Sequence, residues 1–159
     1  MTTLLRILIL LVCFSSLAFA AANSSFTLAV KGKELTINST SDRTAIKASL
    51  ENIFAPEEPS VSTPERIQYD FIAVEGQAPA ALVFDFDKHG KWIGTTIDAN
   101  MKVQNPVAQQ VVSWLHKKGI KGKKSGKTTT WKHEGLVYRL REVKDAGEDS
   151  MYSLAISKK

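Results

Sequence analysis

The chain has 159 residues, with 21 Lys and Arg against 16 Asp and Glu, 43% hydrophobic residues and one cysteine, Cys13. That is enough apolar material for one packed core and too little length for two domains of ordinary size. With 23% charged residues and nine glycines, the composition excludes collagen-like, disulfide-stapled, low-complexity and wholly disordered classes.

Residues 1–20 set the expected compartment. Arg6 precedes an apolar run from Ile7 onward, and Ala18-Phe19-Ala20 supplies the small-residue pattern of a cleavage site. This reads as a cleavable signal peptide, its apolar stretch too short for a comfortable membrane span of about 20 residues. Cleavage after Ala20 leaves 139 residues at net charge +4, without cysteine and without a stable membrane span. The expectation is one α+β domain over residues 21–159, periplasmic or secreted. Its stability then comes from a core rather than disulfides, and thiol catalysis and Cys-ligated zinc are excluded.

The mature chain opens on alternating Phe26, Leu28 and Val30, a turn at Lys31-Gly32-Lys33, and alternating Leu35 and Ile37, the pattern of a hairpin. Residues 39–42 offer several helix N-caps, and Ile46, Leu50, Ile53 and Phe54 recur at helical spacing up to Pro56. Residues 55–64, with three prolines, read as a connecting loop. Strands are predicted over 67–73, 81–87 and 91–98. The last two flank the turn Lys88-His89-Gly90, which sets Phe86 opposite Trp92 and Asp87 opposite Lys91. A second helix is predicted with Asn105 as N-cap, Pro106 at the first position, Val107, Val111, Trp114 and Leu115 on one face, and Gly119 as stop. A lysine-rich loop and strands over 128–133, 136–143 and 151–156 complete the chain.

The helix starts near Asp42 and Asn105 and the strand starts near Arg66 and Thr128 keep almost the same offset. The expected fold is therefore α+β: an antiparallel sheet with two helices packed on one face, with the spacing of a tandem αβββ duplication preceded by a β-hairpin. Such a sheet leaves its other face uncovered.

Several motifs bear on chemistry. The string Leu82-Val83-Phe84-Asp85-Phe86-Asp87 resembles the nucleophile motif of haloacid-dehalogenase phosphotransferases, but Lys88-His89-Gly90 and a returning strand follow where that family has Gly-Thr and a parallel sheet. Asp85, Asp87 and His89 alternate and form a weak metal-ligand candidate. The ordinary reading is solvated polar residues opposite Phe84 and Phe86, and neither metal nor cofactor is expected. Residues 122–128 approach a phosphate-binding P-loop but have three residues, not four, between the glycines.

What remains of that segment is charge. Lys117, Lys118, Lys121, Lys123, Lys124 and Lys127 fall within eleven residues, and glycines around them suggest a mobile loop. Residues 21–100 carry seven basic and eleven acidic side chains, residues 101–159 thirteen and five. Such a loop suits an anionic envelope component or an acidic protein. Trp131 beside it is a lone aromatic that could stack a base, too little to argue for nucleic acid. Arg139 and Arg141 alternate against Leu136, Tyr138 and Leu140. If the helices cover the Tyr138 side, both arginines stand on the open face, suited to grip a partner's carboxylate.

No Ser-His-Asp order or His-Glu-x-x-His string is present, and His116 and His133 have no evident partner in sequence. The sequence favours a non-enzymatic binding protein that acts on a protein partner, of inhibitor or immunity type. The alternative is a polyanion or envelope binder using residues 117–127. The third is a small hydrolase whose site assembles only in space.

Overall fold

The computed structural model describes residues 24–100, 105–143 and 151–159. The expected signal peptide, 1–20, lies outside the described residues.

The hairpin forms as its alternation requires. Strands β1 (Ser25–Val30) and β2 (Lys33–Asn38) pair antiparallel with Phe26 opposite Ile37 and Leu28 opposite Leu35. Lys31 and Gly32 both take left-handed φ, 51° and 75°, so the loop is a tight two-residue turn whose twist matches the strands. Helix α1 (Arg43–Phe54) is capped by Asp42, whose carboxylate accepts the Ala45 N–H at 3.0 Å. It buries Ile46, Leu50, Ile53 and Phe54.

Four strands follow where three were expected. A two-residue strand β3 (Val61–Ser62), inside the segment read as loop, pairs with β4 (Arg66–Phe71); β5 (Ala80–Phe86) and β6 (Trp92–Asn100) continue the meander. Phe86 stands opposite Trp92 and Asp85 opposite Gly94, so Ile93 is the extra residue of a β-bulge. Helix α2 (Pro106–Lys117) begins at Asn105, whose side chain accepts the Val107 N–H, and stops before Gly119 at φ 71°.

The second half repeats this pattern. The lysine-rich segment is not a free loop: β7 (Lys123–Ser125) pairs with β8 (Thr128–His133), which leads through a turn to β9 (Leu136–Val143) and then β10 (Met151–Lys158). Each half is thus a helix followed by four strands rather than three. The additional strands, β3 and β7, are too short for alternation to announce them. The β4–β5 connection at Val74-Glu75-Gly76 and the β8–β9 turn at His133-Glu134-Gly135 occupy matching places, each with a glycine near φ 76–77°.

The eight strands form one antiparallel sheet in the order β3-β4-β5-β6-β10-β9-β8-β7, so the halves join where their last strands pair. One face is covered. Alternate residues from every long strand, among them Tyr69, Phe84, Ile97, Leu154 and Tyr138, are buried with the helix residues in a single core. Strand β1 lies against α2 and β2 against α1, and the Phe26 ring is 5.5 Å from that of Trp92. The hairpin, which has no counterpart in the second half, therefore sits between the two helices. Phe54 stacks on Tyr69 at 4.3 Å. Tyr138 is fully buried, and desolvation, with Glu134 adding to it, pushes its phenol up to about 12, so it stays neutral at ordinary pH.

Trp131 is also part of this core, at 3% exposure, and is not available to stack a base. Gly122 lies directly on its indole: a Cβ at that position would be 2.6 Å from Trp131 Nε1. That contact anchors the start of β7.

Candidate functional site

Because side chains alternate across a strand, the cross-strand pairs define rows on the uncovered face. The central row runs from Gln68 through Val83, Thr96, Ala155 and Arg139 to Thr130, and ends on Lys123. Beside it, Asp70, Ala81, Asp98, Ser153, Arg141 and Thr128 form a second row. On the other side, Arg66, Asp85, Gly94, Ser157, Val137 and Lys132 form a third. The face is thus low along β6 and β10, where Gly94, Thr96, Ser153, Ala155 and Ser157 line it beside Asp98, with longer side chains to either side.

The apolar members of these rows are shielded, whereas Ile93 at the β6 bulge is 44% exposed. Val83 and Val137 point to this face yet are 7% and 4% exposed. What distinguishes the face is charge, divided between the halves. Of the three aspartates in the β4–β6 rows, Asp85 accepts from Arg66 Nε at 2.7 Å and Asp70 from Gln68 Nε2 at 2.9 Å, and Asp98 is the third. The hydrogen bond and charge of Asp85 raise the Arg66 guanidinium further above its ordinary value. On β7–β9 the same face carries Lys123, Lys132, Arg139 and Arg141, all exposed, and no acidic residue among the described positions. The Lys and Arg ion pairs of the described residues, Lys31–Glu57, Lys47–Glu51 and Arg66–Asp85, all fall within the first half. None of the described Lys and Arg residues from 117 to 141 makes an ion pair or side-chain hydrogen bond with a described residue.

The two arginines expected on the open face are there, because the helices and hairpin cover the Tyr138 side. The six lysines do not form one patch. Lys117 and Lys118 end α2, where positive charge suits the helix C-terminus. Lys121 follows. Lys123 shares the open face with Thr130, Lys124 pairs with Thr129 on the opposite face, and Lys127 sits in the β7–β8 turn after Gly126. All six are exposed.

Asp85, Asp87 and His89 are not brought together as ligands. Asp85 is held by Arg66, and one Asp87 carboxylate oxygen accepts the backbone N–H groups of His89 at 2.8 Å and Lys91 at 2.9 Å. Among the described residues, no group of three His, Cys, Asp or Glu side chains is placed to hold a metal ion. His133 packs edge-on to Trp114 at 5.5 Å with Nε2 3.5 Å from Glu134, and His116 lies 6.0 Å from Trp131. A shallow depression of about 480 Å³ beside the Asp87 turn contains Arg43, but its guanidinium is engaged by Thr63 O and Ser62 Oγ.

The Asp87 turn makes a pH prediction. The Lys91 N–H, and after it the His89 N–H, hold the Asp87 carboxyl below its ordinary value. A depressed folded-state value means stability that is present above the unfolded value of about 3.9 and lost as pH falls through the folded one. The stability that the Asp87 carboxylate gives over Asp87→Ala is therefore retained at pH 5 and above and shrinks below about pH 4. Urea unfolding at successive pH values measures it; a difference unchanged down to pH 2 would show that the ionised carboxylate is not what holds the turn.

Comparison with protein-family models, with curated proteins and with solved structures found no match for this chain. The segregation of charge on the open face escaped sequence reasoning except at Arg139 and Arg141. The signal existed at alternate positions of each strand, but it becomes a surface only once strand order is known.

Proposed function

We propose that the chain is an exported, non-enzymatic binding protein that docks a protein partner on the open face of its sheet, as an inhibitor or immunity-type protein does. One observation supports this above others: Lys123, Lys132, Arg139 and Arg141 stand on the uncovered face and none of them is ion-paired with a described residue. Elsewhere the fold pairs several of its cations, so this concentration suits an external partner. The reading of residues 1–20 as a signal peptide supports export.

The test is positional. A photo-crosslinking residue at Thr96, in the low centre of the face, gives a defined protein adduct in producing cells. The same residue at Ala48, on the exposed side of α1, gives none. Ala155→Trp, which fills the centre of the face without changing charge, lowers the adduct yield at least about tenfold. Equal adducts from both positions, or a yield indifferent to Ala155→Trp in protein shown to be folded by circular dichroism, would overturn the reading.

A second reading rests on the six lysines from 117 to 127, all exposed and none ion-paired with a described residue. Here the chain holds an anionic envelope component such as lipopolysaccharide phosphate. Replacing all six by Gln then abolishes retention on lipopolysaccharide while leaving folding intact. Retention that is unchanged and insensitive to salt rules it out.

A further inference from the structure

We infer that the element seated on the open face is an acidic protein segment, held over β8–β10 by Arg139 and Arg141, bordering Thr96 of β6 and excluded from β4 and β5. The inference rests on the open-face reading above and adds to it the partner's chemistry and position.

Arg139 and Arg141 are alternate residues of β9, so their Cα atoms stand roughly 6.6–6.8 Å apart on one face. That is the spacing of carboxylates at alternate positions of an extended segment, and close to one helical turn. Each guanidinium offers a planar fork suited to bidentate contact with a carboxylate. Neighbouring strands add donors in register: Thr130 lies beside Arg139, and Thr128 and Ser153 flank Arg141. Lys123 continues the Arg139 row past Thr130. A pair of partner carboxylates thus meets two arginines, hydroxyls and a lysine on one surface.

The other half of the face determines how far such a segment can extend. Asp98 stands opposite Ser153, two strands from Arg141, and Asp70 lies two strands further on in the same row. Like charge there repels an acidic element that slides toward β4. A polyanionic strand or an anionic membrane spreads over both halves and meets those aspartates. A discrete acidic protein segment covers only the cationic half. A second copy of this chain is a poorer match: with Asp85 held by Arg66, the same face offers only Asp98 and an Asp70 that already accepts from Gln68, against four cations to be met.

The test is an NMR titration of the isotopically labelled chain at low ionic strength. The probes are a short synthetic peptide alternating Glu and Ser, the same peptide with Gln for Glu, and heparin as a sulfated polyanion. The Glu peptide shifts amide signals of β8, β9 and β10, the Gln peptide does not, and Arg139→Gln with Arg141→Gln weakens binding at least about tenfold. Lys117→Gln, Lys118→Gln and Lys121→Gln together change it less than about twofold. Shifts centred on residues 117–121, or loss of binding in the triple lysine variant, would overturn the inference. So would saturable binding of heparin with none of the Glu peptide, or the same shifts appearing on raising protein concentration alone. If the Thr96 adduct survives in the double arginine variant, the acidic-segment inference fails while open-face docking stands. If no adduct forms at all, the docking reading itself fails.

Discussion

Trp92→Ala lowers the free energy of unfolding by about 3–5 kcal/mol, measured by urea denaturation with the slope unchanged. The residue opens β6 opposite Phe86 and is fully buried. Its ring meets Phe26 of the hairpin at 5.5 Å, the Lys158 ammonium of β10 lies 5.8 Å from it, and its Nε1–H donates to Thr95 Oγ1 at 2.9 Å. The cavity left by truncation is therefore walled by separate elements that cannot all collapse into it. The nearly inaccessible Thr95 hydroxyl also loses its donor. Against a total stability of about 5–15 kcal/mol for a domain of this kind, the loss is a large fraction. Trp92→Phe keeps a ring but not the hydrogen bond and costs about 1–2 kcal/mol. A cycle with Phe26→Ala yields a coupling of about 0.5–1.5 kcal/mol, the contribution of the ring pair. A loss under about 1 kcal/mol for Trp92→Ala would mean that the hairpin is not docked on the sheet through this residue.

Gly122→Ala destabilises by about 1–3 kcal/mol even though alanine is small and elsewhere stiffens a chain favourably. The added methyl would stand 2.6 Å from Trp131 Nε1, 2.8 Å from Cε2 and 2.9 Å from Thr129 Cγ2. Trp131 is fixed in the core, so the backbone ahead of β7 must lift. The midpoint of urea unfolding falls, and the amides of Lys123, Lys124 and Ser125 exchange faster as the edge strand loosens. Because Lys123 stands at the end of the Arg139 row, the variant also disturbs the cationic half of the open face. An unchanged midpoint with unchanged exchange would show that the segment is not seated on the indole.

Helix α2 was legible because every signal agreed: Asn105, Pro106, an apolar stripe and Gly119 are all local. The Phe86–Trp92 pairing was legible because a short turn sets its register. β3 and β7 were not, since strands of two and three polar residues carry no periodicity. The lysines around β7 read as a mobile loop for the same reason. What orders Lys123 and Lys124 is the pairing of β7 with β8 and the seat of Gly122 on Trp131, neither of which sequence spacing reveals. The pairing of Arg66 with Asp85 likewise spans 19 residues and needs the β4–β5 register.

The sequence by itself determined the α+β class, both helices, the hairpin and the charge difference between the halves, because these depend on local periodicity, caps and counting. Only the tertiary structure decided which sheet face is open, that the hairpin fills the space between the helices, and that Lys123, Lys132, Arg139 and Arg141 share one surface while the other lysines of the run scatter. Strand order, and register wherever no short turn sets it, are long-range properties, set by how the two halves bury their apolar faces together, and no spacing along the chain encodes them.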